Sequence, residues 1–126
     1  MTCAVYVSRT SDLEIVGPTD APVVVVLGGI SASRHVTASS DDPTPGWWNG
    51  FVGPDRTIDT ERFRVASIDY DVSPVGSRPA TASDHAALLG RALDAEGIDE
   101  VHAVVGASYG GTVALAFGAR ELDRAR

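Results

Sequence analysis

Between an apolar run, Val101-His102-Ala103-Val104-Val105, and an Ala-rich run, Thr112 to Leu122, stands Gly106-Ala107-Ser108-Tyr109-Gly110-Gly111. No other stretch constrains the fold so closely. A G-x-S-x-G pattern at a strand-to-helix junction marks a tight turn that lifts a serine hydroxyl clear of the backbone. An unactivated serine hydroxyl is a poor nucleophile, so it must stand where a base can reach it. Such a turn leaves little room for side chains, and Gly106, Gly110 and Gly111 supply small neighbours. The helix that follows aims backbone N–H groups at the place where a carbonyl oxygen would gain negative charge. Ser108 is therefore the candidate nucleophile. Residues 112–126 contain no His, and their only Asp is Asp123. The chain thus carries a nucleophile without the acid and base that follow it in the usual chain order.

At 126 residues the chain is one domain's worth at most, and 44% hydrophobic with 21% charged residues is a soluble globular composition. A net charge of −7, with 10 scattered Lys and Arg, argues against partners such as nucleic acid or an anionic membrane. The single cysteine, Cys3, excludes an internal disulfide, fits a reducing cytoplasm and suggests no metal site. No charged region precedes a long apolar core, so no signal peptide is expected. The longest strongly apolar run, Val23 to Leu27, is far too short to span a membrane.

Along the chain, Val5 to Ser8 and Leu13 to Val16 read as short strands joined by a polar turn. The β-branched run Val23 to Leu27, ended by Gly28-Gly29, suits a strand buried on both faces of a parallel sheet. Residues 28–62 read as a long loop, partly packed because both tryptophans sit in Gly46-Trp47-Trp48. Arg64 to Tyr70 reads as the next strand and residues 71–80 as a loop. A helix follows, capped by Thr81 or Ser83, with Asp84 in its first turn, apolar Ala86, Leu89, Ala92 or Leu93 and Ile98, and Gly97 as a stop. Val101 to Val105 is the third strong strand. Strand–loop–strand–helix–strand–helix is the order of an α/β fold with a mostly parallel sheet. Residues 23–27, 64–69 and 101–105 are expected as neighbouring parallel strands.

Three ordered motifs accompany the serine turn: Gly46-Trp47-Trp48, Val52-Gly53-Pro54 and Ile58-Asp59-Thr60, the last leading into Phe63 and Val65. With Leu27-Gly28-Gly29-Ile30-Ser31 in the place of an oxyanion loop, the chain resembles the homoserine O-acyltransferase family of the α/β-hydrolase superfamily over roughly residues 23–120. The resemblance implies the N-terminal half of an α/β-hydrolase fold, with residues 1–126 forming part of one domain that continues beyond the C-terminus. It implies transfer of an acetyl or succinyl group from acyl-coenzyme A, as co-substrate, to the hydroxyl of L-homoserine, a step of methionine biosynthesis. Acylation would pass through Ser108, with backbone N–H groups of Ile30 and Tyr109 as oxyanion hole, an interaction worth ~3 kcal/mol per donor. No tightly bound cofactor is implied, and a homodimer of the full-length protein stays open. The sequence departs from the family where Ala107-Ser108-Tyr109 replaces Asn-Ser-Met. It departs again where Asp69-Tyr70-Asp71-Val72-Ser73-Pro74 runs quickly into the helix. Both changes fall near the expected substrate pocket and bear on donor and acceptor choice.

Simpler readings stand beside these. Gly28-Gly29 also suits a plain strand-ending turn. Trp47 and Trp48 read as loop packing rather than ligand contacts. His35, His85 and His102 read as structural or exposed rather than as a catalytic base. Arg34-His35 reads as a solvated pair, although it lies where an anionic donor could pass, and Asp41-Asp42 reads as a solvated acidic loop. Three functions remain open: the acyltransferase, a serine esterase or amidase on the same scaffold, and a fragment inactive for want of the acid and base.

Overall fold

The computed structural model describes residues 13–121. The expected strand Val5 to Ser8, Cys3 and Asp123 lie outside that range. Four strands form one sheet in the order β1 (Leu13–Val16), β5 (Arg64–Ile68), β2 (Val23–Leu27), β6 (Ala103–Gly106). Strands β5, β2 and β6 run parallel, with Val24 opposite both Val65 and Ala103. Only β1 is antiparallel, pairing Leu13 with Ile68 and Val16 with Val65. The three expected neighbours are therefore parallel strands of one sheet.

Strand β2 is central, and its unbroken β-branched sequence follows from that place. Val25 and Val26 point to opposite faces, and both have 0% exposure. Val23, Val25 and Leu27 pack into a core with the helices α1 (Ala82–Ala95) and α2 (Tyr109–Arg120), around Leu89, Leu93, Val113 and Phe117. Val24 and Val26 face a second core made with Val36, Val52 and Ile58, flanked by Trp47, Trp48, Phe51 and Phe63. Helices cover one face of the sheet and a folded loop covers the other.

That loop departs from the expectation of an irregular 28–62 segment. It contains two short parallel strands, β3 (Val52–Gly53) and β4 (Ile58–Asp59). The Asn49 side-chain oxygen organises it further, accepting the N–H groups of Ala38 at 2.8 Å and Gly46 at 3.3 Å. The tryptophans pack as expected: Trp47 stacks on Trp48 with centroids 5.3 Å apart, and Trp48 stacks on Phe51 at 4.6 Å.

Helix α1 begins where Thr81 and Asp84 exchange hydrogen bonds in a capping box. It ends where Gly97 takes φ +72° and the N–H groups of Gly97 and Ile98 return to the carbonyls of Asp94 and Leu93. That is a Schellman stop, with Ile98 buried beside Leu93. Boundaries shift elsewhere. Strand β5 stops at Ile68, so Asp69 and Tyr70 are free to turn their side chains to other work. Strand β6 starts at Ala103 rather than Val101, and α2 starts at Tyr109 rather than Thr112. The helix follows the serine at once.

Candidate active site

Ser108 joins β6 to α2 with φ 58° and ψ −124°. This left-handed conformation costs a non-glycine residue on the order of 1–3 kcal/mol and persists only where the surroundings enforce it. Here they do. A Cβ on Gly106 would run into the Gly110 carbonyl, and one on Gly110 would run into the carbonyl of Leu27. The Ala107 N–H donates to the Leu27 carbonyl at 2.9 Å. The turn is thus pressed onto the C-terminal end of β2. Gly111 differs: a Cβ there would meet the Gly106 carbonyl oxygen at 3.7 Å, an ordinary contact. The expectation that all three glycines are needed for space holds for Gly106 and Gly110 and not for Gly111.

The Ser108 side chain is exposed and makes no capping hydrogen bond to α2, which leaves its hydroxyl available for chemistry. The N–H groups of Gly110 and Gly111 donate to the carbonyls of Ala107 and Ser108, each at 2.9 Å. Among the described residues no backbone carbonyl takes the N–H of Tyr109. Across from this turn, β2 leaves its sheet as Gly28-Gly29-Ile30-Ser31. The Ala32 N–H donates to the Gly29 carbonyl at 2.9 Å, which puts Ile30 and Ser31 at the crest of a β-turn. The turn's own hydrogen bond does not use the Ile30 N–H, and the Ile30 side chain is 51% exposed.

Three anchors hold this loop. The Tyr70 hydroxyl donates to the Gly28 carbonyl at 2.8 Å. The Asp69 carboxylate accepts the Arg34 N–H at 2.7 Å, with the Arg34 Nε 3.5 Å from its other oxygen. The Trp47 ring occupies the space a Gly28 side chain would need, and its indole N–H donates to the Ser33 carbonyl at 2.8 Å. Arg34 is therefore bound to Asp69 rather than loose in solvent. Burial, aided by Tyr109, pushes the Tyr70 phenol up to about 12, so Tyr70 remains a donor.

The histidines are committed elsewhere. His85 is 2% exposed and bonds the Tyr109 hydroxyl and the Asp71 carbonyl. His102 is exposed and stacks on Phe63. His35 lies 2.7 Å from a Glu14 carboxylate oxygen, 3.6 Å from one of Asp42 and 2.6 Å from the Thr44 carbonyl. None hydrogen-bonds Ser108 among the described residues. His35 and Asp42, expected as solvated loop residues, instead form a clamp with Glu14. The ligand-type atoms of Glu14, His35 and Asp42 lie within 4.8 Å of one another. The His35–Glu14 approach is hydrogen-bond length, shorter than the ~3.3 Å between two ligand atoms of a tetrahedral zinc site. The carbonyl of Thr44 only accepts, so Nε2 of His35 carries a proton. Burial opposes the charge, but Thr44, Glu14 and Asp42 together raise the His35 pKa above its usual 6.5.

A strained, exposed serine between a parallel strand and a helix, pressed on the end of the central strand, is the local geometry of a nucleophile elbow. The α/β-hydrolase-fold family profile matches residues 22–126. The chain belongs to the α/β-hydrolase-fold family. It is 42% identical over 113 residues to homoserine O-succinyltransferase of Xanthomonas campestris pv. campestris, covering 88% of this chain and 30% of that protein. It is 40% identical over 131 residues to homoserine O-acetyltransferase of Mycobacterium sp. strain KMS, covering 89% of this chain and 34% of that protein. The crystal structure of esterase E22 is similar at a TM-score of 0.67 and 27% identity, covering 82% of this chain and 36% of that one. The chain spans about a third of the length of each. No helix among the described residues of this α/β-hydrolase-fold chain is long and apolar enough to cross a membrane.

Sequence reading singles out Ser108, Ile30 and Tyr109 as candidates and misses the contacts around them. Asp69, Tyr70 and His85 carry no motif. One signal was present: His85 shares the apolar stripe of α1 with Leu89, Ala92 and Leu93, where a polar ring must find partners.

Proposed function

We propose that the protein transfers an acetyl or succinyl group from acyl-coenzyme A to the hydroxyl of L-homoserine, in the cytoplasm, as a step of methionine biosynthesis. The observation that carries this reading is the exposed Ser108 at positive φ beside the Gly28–Ser31 turn. The similarity to two homoserine O-acyltransferases supports the choice of substrates. The Ser108 hydroxyl attacks the thioester carbonyl, its proton passes to a base, and coenzyme A leaves as the thiol. The backbone N–H groups of Ile30 and Tyr109 hold the oxyanion in this reading. The homoserine hydroxyl then attacks the acyl-Ser108 ester, releasing O-acylhomoserine and restoring the serine. Acyl-coenzyme A is a co-substrate, no tightly bound cofactor enters the cycle, and neither nucleic acid nor membrane is a partner.

The test is incubation with acetyl- or succinyl-coenzyme A followed by intact-mass and peptide analysis. The expected result is an acyl adduct on Ser108, absent from Ser108→Ala and discharged by homoserine. An acyl adduct discharged equally fast by water alone would favour the second reading, a serine esterase, which the similarity to esterase E22 supports. No adduct with either donor would favour the third reading, a chain inactive for want of the acid and base.

A further inference from the structure

We propose that His85 is a positioning residue for the serine turn: its ring, anchored on the Asp71 carbonyl, holds the Tyr109 hydroxyl and so fixes the direction of the Tyr109 backbone N–H beside Ser108. The proposal rests on the reading of Ser108 as a nucleophile and of the Tyr109 N–H as an oxyanion donor.

The hydrogen-bond directions follow from which atoms can donate. The Asp71 carbonyl oxygen, 2.8 Å from Nε2 of His85, only accepts, so Nε2 carries the proton. In the neutral ring Nδ1 is then an acceptor, and the Tyr109 hydroxyl at 2.6 Å donates to it. Burial, aided by the charge of Asp84, raises the Tyr109 pKa, which keeps that proton in place at neutral pH. The ring cannot drift, because His85 is 2% exposed on the inner face of α1.

Tyr70 completes the arrangement. Its ring lies 5.0 Å from His85 and 5.2 Å from Tyr109, edge-on to the latter. Its hydroxyl is the group that holds the Gly28 carbonyl. Two consecutive residues after β5 therefore govern both sides of the site. Tyr70 ties down the start of the turn that carries Ile30, and Asp71 ties down Tyr109 through His85. Tyr109 is the first residue of α2, and its N–H has no backbone acceptor among the described residues. Fixing the side chain at its far end limits how the residue next to the strained Ser108 can rotate. Such a constraint acts on the rate of a bound substrate rather than on its binding, since misplacement of a catalytic group by about 1 Å can cost on the order of a hundredfold.

The test uses the 126-residue chain with p-nitrophenyl acetate as acylating probe, following p-nitrophenol release and the adduct on Ser108. Tyr109→Phe keeps the ring and removes the hydroxyl. It is expected to lower the maximal acylation rate at least about tenfold. The half-saturating ester concentration should stay within about twofold, since the lost interaction is one of alignment rather than binding. His85→Asn, whose amide oxygen can stand in for Nδ1 as acceptor, should retain more rate than His85→Gln. Tyr109→Phe alone carries the kinetic test if the buried His85 variants fail to fold. Nitrogen NMR of the ring should place the proton on Nε2, with the Nδ1 shift moving in Tyr109→Phe. Acylation of Tyr109→Phe at the wild-type rate, or a ring protonated on Nδ1 with Nε2 bare, overturns the proposal. A wild-type chain that never acylates Ser108 fits a fragment inactive for want of the acid and base, and the tautomer measurement then decides the His85–Tyr109 link by itself.

Discussion

Ser108 keeps a backbone conformation that glycine would adopt without steric conflict, and its hydroxyl gives no helix cap in return. Ser108→Gly is therefore expected to raise the stability of the fold by about 1 kcal/mol, the relieved strain exceeding the entropy that glycine adds to the unfolded chain. Ser108→Ala keeps the Cβ and should stay within about 0.5 kcal/mol of the parent. Urea titration separates the two, and a glycine variant less stable than the alanine variant would contradict the strain argument. The neighbouring glycines give a sharper contrast. Gly110→Ala forces a methyl group against the Leu27 backbone and should cost about 2–3 kcal/mol or more. Gly111→Ala meets nothing closer than 3.7 Å. It should be neutral or gain up to about 1 kcal/mol from helix propensity. Equal losses at both positions in thermal melts would show that the turn does not lean on β2 as described.

Among the elements, β1 and the loop after β2 are joined by one charged contact, His35 between Glu14 and Asp42. The His35 pKa is raised in the folded chain, so the folded state holds its proton to higher pH than the unfolded state does. Its stabilisation is fully present below the unfolded value near 6.5 and fades as pH rises through the higher folded value. The melting temperature should fall across that interval in the parent and fall less in His35→Gln; parallel pH profiles would remove the clamp from the account. The sequence shows little of this, because Glu14 and His35 are 21 residues apart and a side-chain bond at that range leaves no periodic trace. The same holds for Tyr70 with Gly28 and for His85 with Tyr109. Strand β2 is legible because burial on both faces demands consecutive apolar residues, and β5 because Val65, Ala66 and Ile68 are apolar. Helix α1 is legible because its cap, stripe and stop are all local. Strands β3 and β4, two residues each, are too short to carry any alternation. The start of α2 is misplaced by three residues because Tyr109-Gly110-Gly111 has the composition of a turn, and packing on Leu27 overrides that propensity.

Taken as one molecule, the chain is asymmetric about β2. Strand β6 carries the serine at an edge of the sheet, and no described strand lies on its other side. Val104 and Val105 are only half-buried. An open edge of this kind pairs readily with another chain. The 126-residue protein is therefore expected to self-associate with rising concentration, and light scattering that reports a monomer across the soluble range would contradict this. The two cores on either side of β2 also differ in what they contain. Helices, Leu89, Leu93 and Phe117 lie on one side; both tryptophans of the chain lie on the other, in contact with each other and, through Trp47, with Gly28. Indole emission from this protein consequently reports on one face alone, the face that supports the Ile30 turn, while far-ultraviolet circular dichroism near 222 nm is dominated by the helices of the opposite face. Denaturation followed by both signals together asks whether the two sides let go at once. Coincident curves mean a single cooperative unit, and fluorescence that departs first means that the Gly28–Ser31 loop loosens while the helical side still stands.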